Sequence, residues 1–110
     1  MSKLAKKKCV PCEGGVPPLS RTEAEKLLKE VSGWMLIDEA KMLAKSFRFK
    51  NFAEAMKFVN EVGRIAEEEG HHPDITISYN AVGLELTTHA VGGLSENDFI
   101  LASKVDQIKV

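Results

Sequence analysis

Apolar residues recur at helical spacing first in the segment that begins at Ser20. Ser20 and Glu23 form a capping box, the pairing of side chains that starts many helices. One face of the following turns is apolar and consists of Ala24, Leu27, Leu28 and Val31. Gly33 is placed to end this helix, because glycine readily adopts the left-handed conformation found after helix ends.

Two further helices are predicted by the same periodicity. Asn51 can cap the first of them and Gly70 ends it, and its apolar stripe is Phe52, Ala55, Met56, Val59, Val62 and Ala66. The last helix opens with Ser95 as its N-cap, and Leu94 and Phe99 are spaced as a hydrophobic staple. Its apolar face is Phe99, Ala102, Val105 and Ile108.

Alternating apolar residues predict two hairpins between these helices. The first hairpin turns at Asp38–Ala40, and its second strand has Leu43, Phe47 and Phe49 on one face. Lys45 breaks that apolar face. The second hairpin has Ile75, Ile77 and Tyr79 on its first strand and Leu84, Leu86 and Thr88 on its second.

The predicted element order is helix, two strands, helix, two strands, helix. Strands that arrive as hairpins favour an antiparallel sheet with helices packed on one face. We therefore predict an α+β fold with a four-stranded antiparallel sheet and three helices (α-β-β-α-β-β-α). Residues 19–110 form one domain, and residues 1–18 form a flexible leader without periodicity.

Composition narrows the classes of function. The 110 residues carry a formal net charge of −1, which gives no global reason to expect a nucleic acid or a membrane as partner. The lysines of "SKLAKKK" are interpreted as a solvated end. No apolar run approaches the ~20 residues that span a bilayer, so we expect a cytoplasmic location.

The two cysteines, Cys9 and Cys12, have the spacing of half a zinc site or of a redox pair. A structural zinc site needs four ligands, and no second pair of cysteines completes one. A redox motif would follow a strand and open a helix, whereas these cysteines lie near glycines and prolines. We interpret them as an incidental pair in the leader. The alternative is that they bind a metal ion, which two chains could share.

Two of the three histidines are adjacent in "GHHP". Gly70 releases the preceding helix, and Pro73 forces His72 into an extended conformation. His71 therefore lies at the helix exit and His72 at the strand entrance, so their rings can approach one space from different directions.

The third histidine is predicted to return to this pair. If the second hairpin turns at Asn80–Gly83, Tyr79 pairs with Leu84. His89 then lies across from about Asp74, one or two residues from the adjacent histidines.

Three interpretations of this cluster remain open on spacing alone. It can be a chance group of surface residues, a zinc site with Asp98, or a site for general acid–base chemistry. Nucleophilic catalysis is not favoured, since no serine or cysteine lies near the cluster with a plausible base. Asp98 can orient a histidine or act only in the capping box, and Glu67 can be a solvated acid at the helix end.

These residues resemble the signature of the pterin-4a-carbinolamine dehydratase family. The signature positions are Glu67, His71, His72, Pro73, Tyr79, His89 and Asp98, and "TTHAVGGLSENDFILASK" is similar to a second family segment. The resemblance runs from about Ser20 to the C-terminus. It implies a four-stranded antiparallel sheet with helices on one face, and members that form dimers or dimers of dimers.

The resemblance also implies an activity and a site. Family members remove water from 4a-hydroxytetrahydropterin to give quinonoid dihydropterin, with the pterin as substrate and without metal or organic cofactor. Asp98 orients a histidine, and Glu67 is a peripheral helper. The acid–base residues are His71, His72 and His89, and the pterin-binding residues are these together with Gly70, Thr87, Thr88 and Ala90.

Two points qualify this expectation. Ala90 stands where family members often carry an acidic residue, so no polar side-chain contact is expected from that position. One dimerising family member also serves as the partner of a transcription factor. A non-catalytic dimerisation and interaction module on the same fold is therefore the alternative function, and neither function requires direct contact with nucleic acid or a membrane.

Overall fold

A computed structural model describes residues 3–10 and 16–109 of the chain. Three helices and four strands alternate in the predicted order: α1 Arg21–Leu28, β1 Met35–Ile37, β2 Met42–Arg48, α2 Phe52–Glu69, β3 Asp74–Ser78, β4 Ala81–Leu86 and α3 Glu96–Val105. Short 3-10 helices lie at Lys3–Lys6 and His89–Val91. The strands form one antiparallel sheet in the order β1-β2-β4-β3, which confirms the predicted fold class.

The sheet register places the apolar residues of neighbouring strands on one face. Leu43 of β2 lies opposite Leu86 of β4, and Leu84 of β4 lies opposite Ile75 of β3. The two central strands contribute Leu43, Val82, Leu84 and Leu86 to the core, all at most 1% exposed. Alternation along each strand thus directs one set of side chains toward the helices.

Helix caps follow the predicted residues. Ser20 and Glu23 form the reciprocal capping box of α1. The side chain of Asn51 accepts a hydrogen bond from the Glu54 N–H at the start of α2. Gly70 ends α2 at a φ of 66°, in the left-handed region where glycine carries no side-chain penalty.

Two predicted helix details are wrong. The helix α1 ends at Leu28 and not at Gly33, because the chain beyond it turns away and the Ser32 N–H bonds Asp106 of the last helix. In α2, Phe58 is buried whereas Phe52 is 49% exposed. The ring of Phe58 packs against the rings of Phe47 and Phe49. Tertiary contacts therefore decide which apolar residues of α2 are buried.

The predicted register of the second hairpin is also wrong. The turn consists of Tyr79 and Asn80, and Ser78 pairs with Ala81, so Leu84 lies opposite Ile75 and not opposite Tyr79. Tyr79 has a φ of 51°, a conformation that few residues with side chains adopt. The residues "AVG" that were expected to turn belong to β4 instead.

The expectation of a flexible leader differs from the structure over its described part. Leu4 is 4% exposed and belongs to the main core cluster. The ammonium group of Lys104 on α3 donates a hydrogen bond to the Ala5 carbonyl at 2.9 Å. Residues 3–10 therefore pack on the domain because an apolar anchor and buried polar partners hold them, whereas Cys12 lies outside the described residues.

Lys45 breaks the apolar pattern of β2 for a structural reason. Its ammonium group lies 2.8 Å from Asp106 Oδ1 and donates to the Ser32 carbonyl. Asp106 also accepts a hydrogen bond from Trp34 Nε1 at 2.9 Å. The lysine therefore reaches along the core face to a largely buried carboxylate that joins α3 to the first hairpin.

Replacing Asp106 by alanine should lower the free energy of unfolding by about 2–3 kcal/mol, because Lys45 and Trp34 would lose a charged partner in a mostly buried place. Urea denaturation monitored by Trp34 fluorescence measures this change. The matched control is Glu61→Ala, which removes an exposed ion pair with Arg64 and should leave the midpoint unchanged. Equal effects of the two substitutions would contradict the structural role of Asp106.

None of the helices within residues 3–10 and 16–109 is long and apolar enough to cross a membrane.

Candidate active site

An open cavity of about 650 Å³ lies where the end of α2, the segment after β4 and the start of α3 meet. Every residue predicted to bind substrate lines it: Gly70, His71, His72, Thr87, Thr88, His89 and Ala90. Asp98, the remaining predicted site residue, lies directly behind the cavity wall. The structure therefore brings the predicted residues together.

His89 reaches the cavity by a path other than the predicted strand pairing. The strand β4 ends at Leu86, and the chain then forms a closed loop in which the Thr88 N–H donates to the Gly93 carbonyl at 2.8 Å. A 3-10 turn at His89–Val91 fills this loop, and Gly92 closes it at a φ of 75°. The loop thus sets His89 at the cavity rim while the adjacent histidines enter from α2.

Asp98 is fully buried, and both of its carboxylate oxygens have hydrogen-bond partners. Its Oδ2 accepts hydrogen bonds from Thr88 Oγ1 at 2.7 Å and from the Ser95 N–H at 3.0 Å. Its Oδ1 lies 2.5 Å from His71 Nε2. Because a carboxylate accepts hydrogen bonds, we assign the hydrogen of this pair to Nε2, which leaves Nδ1 for a ligand.

The other two histidines are held less firmly. His72 Nε2 pairs with Glu67, and both side chains are exposed, at 58% and 80%. The imidazole of His89 has no hydrogen bond to any residue of the described ranges. The cavity therefore contains one oriented imidazole, one loosely paired imidazole and one free to meet a ligand.

This arrangement suits proton transfer. Histidine is the side chain whose ordinary pKa allows it to donate and accept protons near neutral pH. Over the parts of the chain that the structure describes, no three His, Cys, Asp or Glu side chains are grouped so that they could hold a metal ion. Three imidazoles around one cavity, one of them held by a buried carboxylate, suit acid–base chemistry on an organic ligand.

Several cavity residues were not predicted from the sequence. Cys9 and Val10 of the N-terminal segment line the cavity together with Glu69 and Asn97. No periodicity marks the N-terminal segment, and its one structural signal is the isolated apolar Leu4 among lysines. Tyr79, although part of the signature, lies in the β3–β4 turn with 67% of its surface exposed and does not line the cavity.

Comparisons with known proteins find relatives over nearly the whole chain. The family described as "Pterin 4 alpha carbinolamine dehydratase" matches residues 17–108. A protein of Rubrobacter xylanophilus named as such a dehydratase is 51% identical over 98% of this chain and its own full length. A similarly named protein of Nitrosomonas eutropha is 53% identical over 97% of this chain and 94% of its own.

Solved structures extend the comparison to the fold. A transcriptional coactivator/pterin dehydratase from Brucella melitensis has a TM-score of 0.77 and 32% identity, over 81% of this chain and 95% of its own. A pterin dehydratase-like protein identified as a RuBisCO assembly factor has a TM-score of 0.59 and 27% identity, over 67% of this chain and 86% of its own. The chain belongs to the pterin-4a-carbinolamine dehydratase family.

Proposed function

We propose that the protein removes water from a 4a-hydroxytetrahydropterin and releases quinonoid dihydropterin. The observation that carries this function is that three imidazoles line one open cavity and a buried carboxylate orients one of them. Relatives named for this activity are 51% and 53% identical over nearly the whole chain. An enzyme that removes water in this way is a hydro-lyase.

The reaction needs two proton transfers. The bond between C4a and its hydroxyl oxygen breaks, and the oxygen takes a proton from an imidazolium, so that water leaves. A ring nitrogen gives its proton to a neutral imidazole, and the freed electron pair forms the new C=N bond. The pterin itself undergoes the whole change, so the proposed reaction needs neither metal nor organic cofactor.

The histidines divide these tasks according to how they are held. His71 exchanges protons through Nδ1, since Nε2 is engaged by Asp98. His72 and His89 lie closer to solvent and supply the second proton-transfer group and contacts to the ring. The cavity walls at Gly70, Thr87, Thr88 and Ala90 complete the pterin site.

Replacing His71, His72 or His89 singly by alanine tests this assignment. Loss of a positioned acid or base typically costs ~10²–10⁴-fold in rate, so at least one substitution should lower kcat by about 100-fold or more. Stopped-flow absorbance of the 4a-carbinolamine, with the uncatalysed loss subtracted, gives the rates.

Glu61→Gln on the outer face of α2 is the matched control and should keep the wild-type rate. Wild-type rates in all three alanine variants would refute histidine catalysis. A wild-type protein that does not accelerate the loss would instead favour the alternative function, a non-catalytic dimerisation module.

The edge strand β3 supports a second proposal, that the chain forms a homodimer or homotetramer. Ile75 and Ile77 are 37% and 39% exposed on the apolar face of this strand, and Tyr79 in the adjoining turn is 67% exposed. One side of β3 has no neighbouring strand among the described residues, and such edges readily pair with another chain. A second copy of this chain is the simplest partner, and direct nucleic acid contact is not proposed.

Ile77→Lys should weaken this association, because the substitution places a charge on the apolar edge. Size-exclusion chromatography with light scattering should show a wild-type mass of two or four chains and a lower mass for the variant. Thr22→Lys on exposed α1 adds the same charge away from the edge and should not change the mass. A monomeric wild-type protein would rule out the proposed oligomer.

A further inference from the structure

The N-terminal segment, residues 3–10, forms part of the candidate active site although it lies outside the family match at residues 17–108. Its 3-10 helix packs against α3, and Leu4 anchors it with only 4% of its surface exposed. The far end of the segment brings Cys9 and Val10 to the cavity that contains the histidines.

Two largely buried side chains tie this end in place. Glu69 accepts a hydrogen bond from the Cys9 N–H at 2.8 Å, and its side chain is 6% exposed. Asn97 bonds the backbone of Val10 twice, accepting from its N–H at 3.0 Å and donating to its carbonyl at 2.6 Å. Paired backbone bonds of this kind fix both the position and the direction of the segment.

Glu69 and Asn97 lie close in sequence to residues of the histidine site. Glu69 lies two residues before His71, and Asn97 directly precedes Asp98. The end of α2 and the start of α3 therefore position both His71 and the N-terminal segment.

The lining of the cavity indicates what the segment contributes. Most of its lining residues are of polar or charged types, chiefly glutamates, histidines and threonines, and Val10 has the largest aliphatic side chain among them. A pterin has polar edges and flat faces, and a ligand face needs apolar side chains to replace water. Val10 lines the cavity and 63% of its surface is exposed, so a ligand in the cavity can reach it.

We propose that Val10 is a substrate-contacting residue that sets the affinity for the pterin, and that Leu4, Glu69 and Asn97 position it. This inference rests on the proposed function. It assigns the N-terminal segment to binding and leaves the proton transfers to the histidines.

Val10→Ala should raise KM for the 4a-carbinolamine by about three- to tenfold, because part of the apolar wall is lost, while kcat stays within about twofold. Steady-state stopped-flow kinetics on the full chain separates the two constants. Lys7→Ala is the matched control, since Lys7 belongs to the same segment and its side chain, among the described residues, forms an exposed ion pair with Glu96. That variant should keep both constants.

Leu4→Ala provides a second test at a distance from the cavity. It should raise KM in the same direction by loosening the segment, and a thermal unfolding curve checks that the domain remains folded. An unchanged KM in Val10→Ala would overturn the proposal, as would a fall in kcat without a change in KM. A wild-type protein without activity would instead refute the proposed function, so the two failures are distinguishable.

Discussion

The buried carboxylate of Asp98 is the interaction on which the site depends. A buried charge is tolerated only when donors surround it, and here they come from three different parts of the chain. Thr88 follows β4, Ser95 begins α3, and His71 follows α2. The hydrogen bonds to this one carboxylate thus join three segments that form the cavity. The same hydrogen bonds orient His71.

The helix that carries Asp98 is packed into the core of the domain. The helix α3 is buried on nearly all sides, since α1 and α2 contact parts of it and the 3-10 helix of the N-terminal segment contacts another. Its first turn cannot shift without disturbing Phe99 and Leu101, which are fully buried. Asp98 therefore sits in the packed part of the domain, whereas His72 and His89 lie in exposed segments.

Much of the fold could be predicted from the sequence, because helix periodicity, helix caps and strand alternation are local signals. The capping residues Ser20 and Asn51 and the element order were predicted correctly. The register of the second hairpin was predicted wrongly, since Tyr79 adopts a left-handed backbone conformation that is usually marked by a glycine in the sequence. The role of residues 3–10 could not be predicted either, because it depends on contacts with Glu69 and Asn97 more than fifty residues away.

The tautomer of His71 tests the central role of Asp98 most directly. Nitrogen-15 NMR, at a pH where the imidazole is neutral, should find the hydrogen on Nε2 in the wild-type protein. In Asp98→Asn, the amide oxygen should keep the hydrogen bonds from Thr88 and Ser95, so that the amide N–H₂ faces His71. Because this group donates, Nε2 of His71 must accept, and the ring hydrogen should move to Nδ1. A wild-type His71 protonated on Nδ1, or a tautomer that Asp98→Asn leaves unchanged, would contradict the account.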